Sequence, residues 1–340
     1  MIVILNQNAT QKQIEHVEDT LKDLGYGVHP IYGVERTIIG AVGAPGADKE
    51  AAADQLRALD AVADIVFVLK PYKFVAKEFK AEKSIIEVGG IAIGSDRITI
   101  MAGPCTVESR EQLLTTAHAV KAAGATILRG GAYKPSTSPY SFQGLGEEGL
   151  KLLAEAREQT GLKVITEVMH VRNMDLVARY AVILQIGTRN MQNYEILAEA
   201  GKLRKPVMLK RGMNAKIEEW LQAAEYIVMG GNSEVMLCER GIRTFEPYTR
   251  NTLDLSAVLA IRELSHLPVI VDPSQGTGRA SMVPDMCKAA VAVGADGLLI
   301  EVHPNPEKAL KDGAQSITIP VFQTLMTEMA AFAAAAGKRL

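Results

Sequence analysis

Residues 206–240 read PVMLKRGMNAKIEEWLQAAEYIVMGGNSEVMLCER, and this stretch decides the fold. An apolar run, 206–210, leads into an amphipathic helical stretch, 215–228, and then into a second apolar run, 234–238. Both runs finish on charged residues, Lys210-Arg211 and Glu239-Arg240. Parallel strands covered by helices on both faces read as such unbroken apolar runs rather than as an alternation. Outward from this stretch the same unit recurs. Further strands are expected at 98–102, 126–128, 163–167, 182–186, 268–272 and 297–301, with helices at 111–123, 147–160 and 253–264. Eight such units in roughly 240 residues match one closed barrel. The alternative, an open doubly wound sheet, would carry G-x-G-x-x-G after its first strand, and none follows it here. The expected fold class is therefore α/β, a (β/α)8 TIM barrel over residues 99–340.

Residues 1–70 carry a different pattern. An apolar run at 1–5 precedes a helix starting at Thr10, where Thr10 and Gln13 make a capping box and Gly25 supplies the stop. Strands at 28–32 and 37–42, a helix at 48–59 and a strand at 65–69 complete a β-α-β-β-α-β order, the ferredoxin-like arrangement. Its polar residues show no clustered chemistry, so a structural or ligand-sensing module is expected rather than a catalytic one. Residues 71–98 read as a linker, opened by Pro71, and a hairpin turning at Gly89-Gly90.

The totals exclude several classes. The chain has 340 residues, 48% of them hydrophobic and 22% charged, which is globular rather than disordered. With a net charge of −2 and no long block of like charge, nothing supports a nucleic-acid or membrane-surface role. No uninterrupted apolar stretch is long enough to span a bilayer, and the N-terminal apolar run is too short for a signal peptide. Three widely spaced cysteines, Cys105, Cys238 and Cys287, make no disulfide framework and fit a reducing compartment. A cytoplasmic location is expected.

In such a barrel the chemistry sits where strands end. Those ends deliver Cys105, Arg129, Lys134, Glu167, Arg189, Lys210, Arg240, Asp272 and Glu301, with His303 close behind. Arg129, Lys134, Arg189, Lys210 and Arg240 are five cations converging on one mouth. Packed like charges are costly unless an anion neutralises them, and guanidinium forks match carboxylate and phosphate oxygens. The competing explanation is pairing with carboxylates such as Glu167 or Glu239, which accounts for one or two of the five. Cys105, Glu301 and Asp312 form a second group, suited to a borderline-soft divalent metal, although an inert cysteine and solvated acids would look the same in sequence.

At these residues the chain resembles the 3-deoxy-D-arabino-heptulosonate 7-phosphate synthases, in the subtype with a ferredoxin-like domain ahead of the barrel. The resemblance is carried by AGPCTVE (102–108), LRGGAYKP (128–135), SPYSFQG (138–144), QIGTRNMQN (185–193), LKRG (209–212), CERGIRTFE (238–246) and EVHP (301–304). It implies condensation of phosphoenolpyruvate with erythrose 4-phosphate, releasing phosphate. The five cations would hold the donor's phosphate and carboxylate. Pro135, Ser136, Thr137, Glu239 and Asp272 would complete the substrate site, and Lys134 would protonate the new alkoxide. A divalent metal such as manganese, held by Cys105, Gln275, Glu301 and Asp312, would polarise the aldehyde. The resemblance further implies a homo-oligomer, often a tetramer, and an N-terminal module able to bind an aromatic amino acid as effector.

Two positions depart from the family's pattern. Gln275 stands where a histidine ligand is expected, which disfavours zinc, iron or copper relative to manganese or magnesium. Ser136 replaces an arginine that holds the aldehyde's phosphate, a loss of about 1.5–3 kcal/mol. Arg279 or Arg243 could compensate, and His170 could supply a metal nitrogen. Both departures lie on the acceptor side of the site. The alternatives are therefore the same donor with another aldose such as arabinose 5-phosphate, or a catalytically weakened binding or regulatory homologue. Proline at 135, rather than alanine, favours the heptulosonate enzyme.

Overall fold

The structure is a computed structural model that describes residues 1–32, 37–43, 48–67, 70–134 and 138–340. The chain divides into two compact units, Met1–Ala81 and Glu82–Leu340.

The first unit runs β1 (Ile2–Leu5), α1 (Gln11–Asp23), β2 (Tyr26–Tyr32), β3 (Thr37–Gly43), α2 (Lys49–Arg57) and β4 (Val62–Val66). Its sheet order is β2-β3-β1-β4 with every neighbour antiparallel, which is the ferredoxin-like topology. Helix α1 begins where Thr10 donates its backbone N–H to Gln13 Oε1 at 2.9 Å. Asp48 caps α2 by accepting from the N–H groups of Glu50 and Ala51 at 3.1 and 3.2 Å. Both helices bury one apolar stripe, Ile14, Val17 and Leu21 on α1 and Ala52, Ala53 and Leu56 on α2, against Val3, Leu5, Ile39 and Ala41. The last strand starts three residues before the sequence pattern places it. β1 is short, and its antiparallel register pairs Ile2 with Val66 and Leu5 with Val62, which draws β4 back toward the helix. Residues 68–69 of the expected strand lie outside the described residues.

The second unit opens with the hairpin β5 (Ile86–Val88) and β6 (Ile91–Ile93). Its two-residue turn needs positive φ at both centres, and Gly89 and Gly90 supply 53° and 89°. The barrel follows as β7 (Thr99–Gly103), α3 (Arg110–Ala122), β8 (Ile127–Arg129), α4 (Glu147–Thr160), β9 (Lys163–Val168), α5 (Met174–Tyr180), β10 (Ile183–Ile186), α6 (Tyr194–Lys202), β11 (Val207–Lys210), α7 (Ile217–Met229), β12 (Val235–Glu239), α8 (Ser256–Leu264), β13 (Val269–Val271), α9 (Pro273–Thr277), α10 (Val283–Ala292), β14 (Gly297–Glu301) and α11 (Ile319–Ala335). The eight strands are parallel in sequence order, and β14 pairs with β7 to close the ring. Helix α8 starts three residues later than expected. Asp254 is drawn out of the helix, where its carboxylate accepts from Ala257 N–H and binds Arg211.

Side chains alternate between the barrel axis and the helices. Met101, Ile127, Ile165, Ile183, Met208, Met236, Cys238, Ile270 and Leu299 point inward and meet Ile86, Val88 and Ile93 of the hairpin. The hairpin lies at the strands' N-terminal end, since a Cβ at Gly94 would touch Pro268 and Ser84 N–H donates to His266 O. Each apolar inward position is followed, two residues on, by the residue that faces the opposite mouth. That rule delivers Arg129, Glu167, Gln185, Lys210, Arg240, Asp272 and Glu301 to one place.

Candidate active site

A cavity of about 390 Å³ opens at that mouth. Among the described residues its lining includes Lys134, Arg189, Lys210, Arg240, Arg243, Arg250 and Lys311 against only two carboxylates, Glu167 and Asp312. Lys134, Lys210 and Arg240 are buried, as is Arg129, which lies outside the lining. Burial disfavours the charge of Arg129, yet Glu301 and Asp272 outweigh it and hold the guanidinium above its ordinary pKa. Lys134 is likewise desolvated but held above the usual lysine value by Cys105 and Glu167. Arg240 goes the other way: burial, aided by Arg250, lowers it despite Asp272. The Nε atoms of Arg129 and Arg240 are buried without any hydrogen-bond partner. A buried guanidinium N–H left unpaired is costly, and an anion entering the mouth would satisfy it.

At least two of the five cations expected there have carboxylate partners among the described residues. Arg129 pairs with Glu301 at 2.9 Å and Lys210 with Asp272 at 2.6 Å. Neither partner is the one the sequence suggested. Glu167 instead accepts from Gln185 Nε2 at 3.2 Å, and its carboxylate fills the space a Cβ at Gly187 would need. Glu239 does not face the cavity. Cys238 points inward, so its neighbour points to the helices, where Glu239 takes Arg211 at 2.9 Å and the Gly241 N–H at 2.5 Å. It braces the loop that presents Arg240. Asp272 is also outside the lining; it binds Lys210 and caps α9 through Gln275 N–H. Pro135, Ser136 and Thr137 lie outside the described residues.

Cys105, Glu301 and Asp312 come together, with one ligand atom from each within 4.8 Å of the others. Cys105 Sγ–H donates to Asp312 Oδ2 at 3.1 Å. Glu301 Oε1 touches Arg129 but accepts no hydrogen bond, while Oε2 takes Gln315 Nε2 at 2.8 Å. Burial, with Glu301 and Asp312 nearby, pushes the Cys105 thiol up to about 12. Burial alone would raise Asp312, but Arg250, the thiol and Lys134 hold it below the ordinary carboxylate range. One thiol and two carboxylates, one of them with a buried oxygen that accepts no hydrogen bond, fit a divalent cation. Gln275 lines the same cavity as Asp312, and its Oε1 accepts from Lys210 Nζ at 3.1 Å. His170 is exposed, accepts from Arg172 N–H, and takes no part.

Asp312 is held by residues that the sequence did not single out. Its backbone sits at φ 52°, a conformation aspartate tolerates better than most side chains. Glu108 ties down the segment before it, accepting from Leu310 N–H at 2.9 Å and contacting His303 Nε2 at 3.3 Å. Arg250 binds Asp312 at 3.0 Å and Gln315 at 2.7 Å. Arg250 and Gln315 follow no strand end directly, so strand-end reasoning passes over them. Only their charge and amide in long loops could have marked them.

The DAHP synthetase I family profile matches residues 74–335, and the DAHP synthase ferredoxin-like domain profile matches residues 1–70. The chain is 50% identical to phospho-2-dehydro-3-deoxyheptonate aldolase of Thermotoga maritima over the full length of both. The crystal structure of that Thermotoga enzyme superposes with a TM-score of 0.79 at 49% identity, covering 99% of this chain and 98% of that one. A 2-dehydro-3-deoxyphosphooctonate aldolase of Syntrophotalea carbinolica is 31% identical, over 72% of this chain and 95% of its own. The chain belongs to the DAHP synthetase I family.

Proposed function

We propose that the chain condenses phosphoenolpyruvate with erythrose 4-phosphate to give 3-deoxy-D-arabino-heptulosonate 7-phosphate and inorganic phosphate, the opening step of the shikimate pathway. The observation that carries this reading is a pair of orphaned buried guanidinium nitrogens, Arg240 Nε in the lining of a cation-rich cavity and Arg129 Nε outside that lining. Arg129, Lys134, Arg189, Lys210 and Arg240 hold the donor's phosphate and carboxylate, orienting its C3 toward the aldehyde. They also stabilise charge on those groups as C3 attacks, water adds at C2 and phosphate departs. Lys134 keeps its proton through binding, because its pKa is raised, and gives it up to the more basic alkoxide formed at the former aldehyde. A divalent ion, manganese or similar, held by Cys105, Glu301, Asp312 and Gln275 would supply Lewis-acid polarisation of the aldehyde oxygen.

The same donor with arabinose 5-phosphate is not favoured. The octonate relative covers less of the chain at lower identity than the heptonate one. Identity over the whole length to a named aldolase equally disfavours a catalytically weakened homologue. Among the described residues no helix is long and apolar enough to cross a membrane, and the three cysteines are free and buried, in keeping with a cytoplasmic enzyme. We also read the chain as a homo-oligomer whose first unit binds an aromatic amino acid effector.

The test is phosphate release from phosphoenolpyruvate and erythrose 4-phosphate by chelator-treated protein, with and without added manganese or zinc. Metal-dependent release is expected. Silence under every condition would sink the proposed reaction.

A further inference from the structure

The condensation proposed above joins two phosphate-bearing molecules, and the cations lining the cavity fall into two tiers. Lys134, Lys210 and Arg240 are buried at its base, Arg189, Arg243 and Arg250 are exposed at its rim, and Lys311 is half-buried and offers a point charge rather than a fork. The buried tier, together with Arg189, is taken by the donor in the reaction proposed above. A second phosphate therefore needs a cation from the rim, and the rim candidates are not equivalent. Arg250 is committed to Asp312 and Gln315. Arg279 lies outside the cavity lining, stacked 3.9 Å over the Tyr248 ring, with its Nε–H donated to Tyr248 O at 2.7 Å.

Arg243 differs from both. Among the described residues its side chain has no carboxylate partner, and it lines the cavity. Its backbone is pinned on both sides: Ile242 and Thr252 exchange N–H···O bonds at 2.9 Å, and Arg243 N–H donates to Met213 O at 2.8 Å. The guanidinium thus swings from a fixed anchor, which limits the ordering lost when it grips an anion. Ser138 and Ser141 line the same cavity and offer hydroxyl donors.

We propose that Arg243 is the specificity-determining residue that takes the acceptor's phosphate at the rim, assisted by Ser138 and Ser141. A guanidinium fork and hydroxyls suit a terminal phosphate monoester. Arg243, Ser138 and Ser141 are distinct from the residues assigned to the donor, so their loss is expected to fall on the acceptor. This inference rests on the proposed condensation.

The experiment uses the full chain and three variants, Arg243→Ala, Arg243→Lys and Arg279→Ala. In Arg243→Ala, kcat/KM for erythrose 4-phosphate relative to unphosphorylated erythrose should fall about 10–100-fold, with KM for phosphoenolpyruvate unchanged. Arg243→Lys should fall between, keeping the charge and losing the fork. Arg279→Ala should match the parent protein. A separate calorimetric titration follows glycerol 3-phosphate binding to protein already saturated with phosphoenolpyruvate, and this binding should vanish in Arg243→Ala. An unchanged ratio, or equal damage with both aldehydes, overturns the rim site and leaves the reaction standing. Parent protein that never turns over but binds glycerol 3-phosphate through Arg243 overturns the reaction and keeps the rim site.

Discussion

Gln275 is where residue-level chemistry departs most from what a soft-metal site would use. Its neutral amide oxygen already serves Lys210, which keeps Asp272 at 2.6 Å if the amide is removed. Gln275→His should therefore fold, and should raise zinc affinity relative to manganese. Losing an outer partner of a ligand costs about 10–100-fold in affinity, so gaining a direct ligand should shift the ratio by at least about tenfold. Competition against a chromophoric chelator measures it, and an unchanged ratio would show that position 275 does not reach the ion. The Cys105 thiol gives the pH dependence. Its pKa, about 12, leaves it protonated near neutrality, whereas metal ligation requires the thiolate. Binding then releases one proton, and affinity should rise about one decade per pH unit between pH 6 and 8. Asp312 adds nothing to that slope, because its pKa is lowered and it is already ionised. A flat profile would remove the thiol from the ligand set. The cations of the site were legible in the sequence because a charge closing an apolar run stands out. Their partners were not: Arg129 with Glu301 and Lys210 with Asp272 join strands far apart in sequence. Glu239 was misplaced because a one-residue step along β12 reverses the face, and adjacent charges do not reveal which of them points inward.

At the scale of elements, the barrel strands lie within one residue of where their apolar runs place them, because burial on both faces leaves little else for such runs to do. Ends were harder to read wherever a polar residue had a tertiary partner, as Asp254 does with Arg211 before α8. The hairpin's turn was legible from Gly89-Gly90, but its task was not. Ile86, Val88 and Ile93 close the end of the barrel away from the cations, a contact that local sequence does not encode. Ile93 is fully buried in that cluster. Ile93→Ala should cost about 2–5 kcal/mol, as such core truncations do, seen as a lower midpoint in urea unfolding. Phosphoenolpyruvate affinity should stay unchanged, since the cavity sits at the opposite end. A matching loss of affinity would mean that the two ends of the barrel are coupled.

At the scale of the whole molecule, the two units have separate cores, and the junction between them carries the sharpest prediction. The family profiles meet between residues 70 and 74, whereas the compact units divide after Ala81. The intervening residues explain the difference. Phe74 stands where a Cβ on Gly40 would have to be, packs edge-on to His29 with centroids 5.7 Å apart, and to Phe79 at 5.2 Å. Tyr72, Val75 and Ala76 are buried as well. Composition and Pro71 read this segment as a linker because sequence shows the turn residues and not the partners. A fragment beginning at residue 82 should therefore fold, its barrel core being its own. One beginning at residue 71 keeps five buried apolar residues, Tyr72, Phe74, Val75, Ala76 and Phe79, but strips Phe74 of Gly40 and His29. Exposed apolar patches of that kind favour association. The expected outcome is a well-dispersed shorter fragment and an aggregating longer one, compared by light scattering at equal concentration. The shorter fragment should retain metal-dependent phosphate release while losing any response to phenylalanine or tyrosine, if the first unit is the effector module. Equal behaviour of the two fragments would show that residues 71–81 belong with the barrel, and the boundary would move to the one the family profiles draw.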